Sequence, residues 1–250
     1  MRRNLRSCLV FSAFLVGASL SAQTAADVLA KHETAIGGKD LISQVKSISM
    51  QTTTHMANND MPGSVVVLDG VLYRAEVNFS GGNMVQCYTA RGGWMVNPMA
   101  GMNDPTPMPD DQYQAGRNEI YVGGDLHDYA AAGNKLDLLA KDADAYTIKL
   151  TTKEKTETTF VIDSATYMIK SVTRKGNLQG QEMNITTTLS DYRKTDVGLM
   201  VPYAISVDFG GQFSFNITVD KVEINKTIDP ATCDMPKSSQ SPPASKATPN

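Results

Sequence analysis

Val71, Tyr73, Ala75, Val77 and Phe79 place an apolar or aromatic side chain at every second position. Leu72, Arg74, Glu76 and Asn78 fill the gaps, three of them polar. Successive side chains on a strand point to opposite faces, so this spacing predicts a strand with one dry face and one wet face. The pattern returns twice near the end of the chain. Val201, Tyr203, Ile205, Val207 and Phe209 alternate with Pro202, Ala204, Ser206 and Asp208. Phe213, Phe215, Ile217 and Val219 alternate with Ser214, Asn216, Thr218 and Asp220. A slip of one residue would turn each of these apolar sets into water, so the register is strongly specified. The chain is built around a large, one-sided antiparallel sheet.

Helices enter at two places. Val28, Leu29, His32, Ala35 and Ile36 share a helical face within Ala25–Ile36, which Gly37-Gly38 ends, and a short helix over Lys39 to about Val45 follows. From Ser47 the pattern turns β-like, with strands then expected over 64–69, 71–79, 83–89 and 92–97, punctuated by Gly63, Asp69-Gly70, Gly81-Gly82 and Gly92-Gly93. Asn97 to Asn134 breaks the alternation. It holds Pro98, Pro105, Pro107 and Pro109, then Asp110-Asp111 before a proline-free run. Acids suit a helix start, so helices are expected over Gln112–Ile120 and Leu126–Ala132. Strands resume at 135–140, 145–152, 156–162, 168–174, 181–192, 199–208 and 211–224. The helices have one evident task, covering part of the dry face.

The chain opens on Met1-Arg2-Arg3-Asn4-Leu5-Arg6, then an apolar run to Leu20 and small residues before Gln23. That order reads as a cleaved secretory signal over 1–22 and predicts an exported protein. Cleavage would move the formal charge from −3 to −6, with 20 basic against 26 acidic residues. An acidic chain has no footprint for nucleic acid and no basic patch for anionic lipid. Residues 23–235 suffice for one domain with a sizeable core. Residues 236–250, rich in Pro and Ser, have little to bury and are expected to be a disordered tail. Cys87 and Cys233 remain after cleavage. An exported chain can oxidise them, but spacing does not decide between one disulfide and two separately buried thiols.

Several segments resemble the LolA-like family of periplasmic outer-membrane lipoprotein carriers and sorting proteins. They are Val28-Leu29-Ala30-Lys31-His32 with Ala35-Ile36-Gly37-Gly38-Lys39 and Val45-Lys46-Ser47-Ile48; Gly92-Gly93-Trp94-Met95-Val96-Asn97-Pro98; Phe160-Val161-Ile162-Asp163 with Thr166-Tyr167; Asp191-Tyr192-Arg193 with Gly198-Leu199-Met200-Val201-Pro202-Tyr203; and Val222-Glu223-Ile224-Asn225 with Ile228-Asp229. The resemblance runs over roughly 25–235 and rests on turns, helix ends and strand corners. It implies a mainly β, α+β fold: an incomplete antiparallel β-barrel of about 11 strands, with an N-terminal helix and a helical lid over an apolar cavity. It also implies a non-enzymatic, monomeric carrier of lipoprotein acyl chains or another lipid, loaded and relieved by envelope membrane proteins, with no cofactor.

Such a carrier needs apolar surface rather than reactive groups, because each buried methylene contributes about 0.8 kcal/mol. Candidate wall residues are Tyr73, Val77, Phe79, Trp94, Met99, Tyr203, Ile205, Phe213 and Phe215. Alternation does not separate a cavity wall from a solid core, so a filled-core envelope interaction or scaffold protein is the alternative. Met95, Met99, Met102 and Met108 suit a lid edge in contact with lipid. The Met99/Met102 spacing also admits Cu(I), but no Cys or His lies nearby in sequence. His32, His55 and His127 are scattered and form no metal-ligand run. There is no G-x-S-x-G elbow, so no catalytic residue is assigned.

Overall fold

The structure is a computed structural model that describes residues 23–126, 128–178 and 181–236. The leader read over 1–22, His127 and all of the tail beyond Pro236 lie outside the described residues.

Helix α1 (Ala25–Ala35) starts on a capping box. The Thr24 hydroxyl accepts from Asp27 N at 3.2 Å, and Thr24 N donates to the Asp27 carboxylate at 2.8 Å. These bonds hold the Asp27 carboxyl below its usual range. At the other end Gly38 N donates to Glu33 O, and Gly37 takes a positive φ of 136° that a Cβ would oppose. Helix α2 (Lys39–Gln44) follows. The strands are β1 (Ser47–Met56), β2 (Asn59–Leu68), β3 (Leu72–Phe79), β4 (Gly82–Thr89), β5 (Gly92–Asn97) and β6 (Met102–Pro107), then, after the lid segment, β7 (Lys135–Lys141), β8 (Ala145–Thr151), β9 (Glu157–Asp163), β10 (Ile169–Leu178), β11 (Gln181–Lys194), β12 (Met200–Phe209) and β13 (Ser214–Ile224).

They form one antiparallel sheet of 13 strands in the order β6-β5-β4-β3-β2-β1-β13-β12-β11-β10-β9-β8-β7. Every neighbour is joined by a hairpin except β1 and β13, which pair Ile48 with Ile224 and Thr54 with Ile217. The expected one-sided sheet is present, with more strands than the pattern predicts. The extra strand is β6, which carries Pro105 and Pro107. It lies at a sheet edge, where a missing N–H breaks no ladder.

The two edge strands are consecutive in sequence, so the segment between them links the sheet's free edges. It holds α3 (Asp110–Gly116) and two 3-10 turns, Arg117–Ile120 and Gly124–Leu126. The helix expected over Leu126–Ala132 is absent among the described residues, where 128–133 form turns. Gly123-Gly124 interrupts the run, and Asp128 takes a φ of 40° outside the helical region.

This segment shows that the sheet curls. Strands β4 and β10 stand seven places apart in the strand order, which in a flat sheet is roughly 34 Å. Yet Gly116 lies against the Tyr88 ring on β4, while Glu119, three residues on, holds Arg174 on β10. One short segment reaches both only if the sheet wraps around it. The result is an open half-barrel with the helices inside.

Three buried clusters occupy the inner face, and the lid segment contributes to each. Ile120 packs with Tyr88, Met95 and Met108. Val122 joins Val45, Ile48, Val67, Leu199 and Val201. Leu126 joins Val28 and Leu29 of α1 against Ile148, Leu150, Phe160 and Ile162. A fourth cluster lies on the outer face, where Leu72, Val85, Cys87 and Trp94 are covered by a C-terminal 3-10 turn, Pro230–Cys233. Cys87 and Cys233 are joined as a disulfide with Cα atoms 5.7 Å apart.

Candidate functional site

The candidate site is the inner face of the half-barrel together with the lid segment across it. Two regions differ in cover. Around β7–β9 the face is solid. The space bounded by Leu29, Leu126, Leu136, Ile148, Phe160 and Ile162 has no room for a water molecule. Further along, Val77, Phe79, Ile205, Val207, Phe215 and Ile217 point to the same face but belong to none of the buried clusters. All six are only partly buried. They form an apolar trough beside the lid.

The candidate wall residues divide accordingly. Val77, Phe79 and Ile205 line the trough. Phe215 does so too, and Phe213 sits at its lip in the β12–β13 turn, 40% exposed and stacked on Phe209 at 4.3 Å. Tyr73 and Tyr203 are on the inner face but pack into the clusters near the lid. Two residues do not join the wall. Trp94 faces outward, buried under the C-terminal turn, where its Nε1 donates to Cys233 O at 2.7 Å. Strand alternation on β5 sends its neighbour Met95 inward instead. Met99 is 54% exposed in the 3-10 turn Pro98–Ala100, which leaves the sheet between β5 and β6, and it belongs to none of the inner clusters.

What sequence reading missed is the polar latch of the lid. Arg174 sits in register with Val172, hence on the inner face. Its guanidinium meets Glu119 Oε1 at 2.7 Å and Asp125 Oδ2 at 3.2 Å, one acid from each 3-10 turn. Asn118 Nδ2 donates to Asp125 at 3.1 Å, and the Thr158 hydroxyl donates to it at 3.4 Å. Burial works against the charge on Arg174, but Glu119 and Asp125 outweigh it and raise its pKa further. A charged residue two places after Val172 in an alternating strand was the available signal. At the opposite wall Tyr113 Oη donates to Thr89 O at 2.9 Å, Tyr113 stacks on Tyr88, and Val122 N donates to Asp69 at 3.1 Å.

Tyr73 and Tyr88 line this latch. Burial first, and then the Glu119 charge, push the Tyr88 phenol up to about 12 and raise Tyr73 as well. Burial alone raises Tyr192, whose hydroxyl donates to Ile169 O. In the unfolded chain tyrosine ionises near 10, so above that pH the unfolded state loses protons first. Stability is therefore intact below about pH 10 and falls toward pH 12, by up to about 1.4 kcal/mol per pH unit for each such tyrosine. Urea midpoints at pH 9 and pH 11 measure this, and Tyr88→Phe is expected to flatten the slope. Equal midpoints at the two values would contradict the burial of these phenols.

Among the described residues no group of three or more His, Cys, Asp and Glu is placed to hold a metal. His32 is buried against Tyr167 O at 2.8 Å, and burial lowers its pKa. His55, on the outer face, bridges Asp60 at 2.7 Å and Thr218 at 2.9 Å. No helix among the described residues is long and apolar enough to cross a membrane.

An open antiparallel half-barrel, its edges linked by a lid lying in its own hollow, defines an open-barrel class of fold. The particular fold is the LolA-type one. A LolA superfamily protein from Nitrosomonas europaea matches at a TM-score of 0.56 and 12% identity, over 86% of this chain and 99% of that one. A putative outer membrane lipoprotein-sorting protein domain from Vibrio parahaemolyticus matches at 0.54 and 9% identity, over 81% and 93%. No family model and no curated protein matches the chain.

Proposed function

We propose that the protein is a non-enzymatic periplasmic carrier, taking the acyl chains of lipoproteins or another lipid into the half-barrel for outer-membrane lipoprotein sorting. The observation that carries this reading is the trough of Val77, Phe79, Ile205, Val207, Phe215 and Ile217, only partly buried beside a lid pinned to the sheet at Arg174. A lipid chain laid there gains about 0.8 kcal/mol for each methylene it buries, with no directed polar contact needed. Entry enlarges the trough by lifting Ile120, Val122 and Leu126, so ligand carbons replace lid carbons in the three clusters. The leader supports export, and the carrier works as a monomer that exchanges cargo with envelope membrane proteins. The fold of the two structural relatives, one of them a putative outer membrane lipoprotein-sorting protein domain, supports the same reading.

The packed space beneath α1 favours one second reading, an envelope interaction or scaffold protein of the same fold with a filled core. Native mass spectrometry of protein recovered from its own envelope separates the two. The carrier reading expects bound lipid or lipoprotein, and uptake of a fluorescent acyl probe by delipidated protein. Recovery without lipid, together with no uptake, leaves the scaffold reading in place.

A further inference from the structure

On the inner face of the sheet, two buried polar atoms among the described residues have no hydrogen-bond partner: Thr54 Oγ1 and Arg174 Nε. Arg174 has its remaining nitrogens engaged by the lid. Thr54 has nothing. It is 5% exposed and follows Ile48, Met50 and Thr52 along the inner side of β1. Its cross-strand neighbours are Met61 on β2 and Ile217 on β13, and Ile217 belongs to the trough. Gly63, opposite Thr52, is closely packed, since a Cβ there would come to 2.5 Å from Glu76 O and 3.0 Å from the Thr52 hydroxyl.

A buried hydroxyl without a partner costs free energy, and valine would fill the same volume without that cost. An apolar-only trough therefore has no use for a threonine at this position. We propose that Thr54 is the donor of a polar subsite in the trough, made for the carbonyl oxygen that heads an acyl chain. This rests on the carrier reading and narrows it: the ligand is an acyl ester or amide rather than any hydrocarbon of suitable length. The hydroxyl donates its proton to the carbonyl lone pair once the chain has displaced the flexible Met61 side chain beside it. No bond is made or broken.

The test uses the full chain carrying a fluorescent naphthylamine probe, displaced by matched ligands. Monopalmitoylglycerol has the ester carbonyl; monohexadecylglycerol, its ether analogue, lacks it; N-palmitoylethanolamine carries an amide carbonyl. Wild type is expected to bind the ester and the amide about fivefold more tightly than the ether, the scale of one net hydrogen bond. Thr54→Val is expected to bring the three together by weakening the first two and leaving the ether unchanged. Thr54→Ser, which keeps the hydroxyl, is expected to restore most of the difference. Circular dichroism and Tm report folding, and Thr54→Val is expected to melt no lower than wild type. Equal binding of ester and ether by wild type overturns the subsite while the carrier reading stands, as does equal weakening of all three ligands in Thr54→Val. Failure of every ligand to displace the probe, or of the probe to bind, removes the carrier reading and the subsite with it.

Discussion

Replacing both half-cystines, Cys87→Ser with Cys233→Ser, is expected to lower the unfolding free energy by about 4 kcal/mol. The bridge closes a loop of 146 residues, and constraining so long a stretch of unfolded chain is worth about 4–5 kcal/mol in the chain-entropy account. Both cysteines are buried, so the packing of the outer cluster is lost as well. Local consequences follow from what Cys233 holds. Its carbonyl accepts from Trp94, and the neighbouring Thr232 carbonyl accepts from Arg74, whose guanidinium lies over the Trp94 ring at 5.7 Å. Trp94 is the only tryptophan in the chain, so its emission reports this corner alone. Urea titration should give a lower midpoint, and the emission should shift to the red before global unfolding. A loss below about 1 kcal/mol with unchanged emission would show that the C-terminal turn holds without its bridge.

Arg174→Met is expected to free the lid. Methionine keeps much of the apolar stem but leaves Glu119 and Asp125 facing each other beside the buried phenols of Tyr73 and Tyr88. Breaking a fully buried pair costs about 3–5 kcal/mol, and here the Arg174 side chain is 31% exposed, so about 2 kcal/mol is a fair scale. The cost falls on one segment. Amide hydrogen exchange within 110–126 should speed up by at least about tenfold, while β1 and β13 keep their protection. Acyl-probe uptake should become faster in step. Exchange that rises evenly over the whole sheet would mean that Arg174 supports the barrel rather than the lid. Glu119→Gln, which keeps the shape and removes one charge, is expected to fall between the two.

The sheet was legible because one-sided burial writes itself into every second residue. Tyr73, Val77, Phe79 and Ile205 could be assigned to a face from the pattern alone, and the structure places them together on the inner one. The pattern failed where local chemistry and tertiary context disagree. Pro105 and Pro107 argue against a strand until the strand is known to be an edge. Trp94 reads as a candidate wall residue, yet alternation on β5 gives the inward position to Met95, one place on. The lid was visible as a break in alternation, but its helices were overestimated, since 3-10 turns need fewer apolar positions and leave room for Glu119 and Asp125. Arg174 was hidden for a different reason. A lone arginine on a strand reads as solvent-facing unless its register is counted from Val172. The cysteines were evident as a pair of candidates, while their union depends on a chain reversal that spacing does not encode.

The pairing of β1 with β13 has a consequence for how the molecule is made. These strands come from opposite ends of the chain, yet they lie side by side in the middle of the strand order. Each flank is a run of local hairpins that can assemble as soon as it emerges. Their union must wait for nearly the last segment, across a separation whose closure is entropically slow. Until then both half-sheets present raw edges and their greasy sides to the surroundings, so a newly made copy is at its most vulnerable to aggregation just before its final strand arrives.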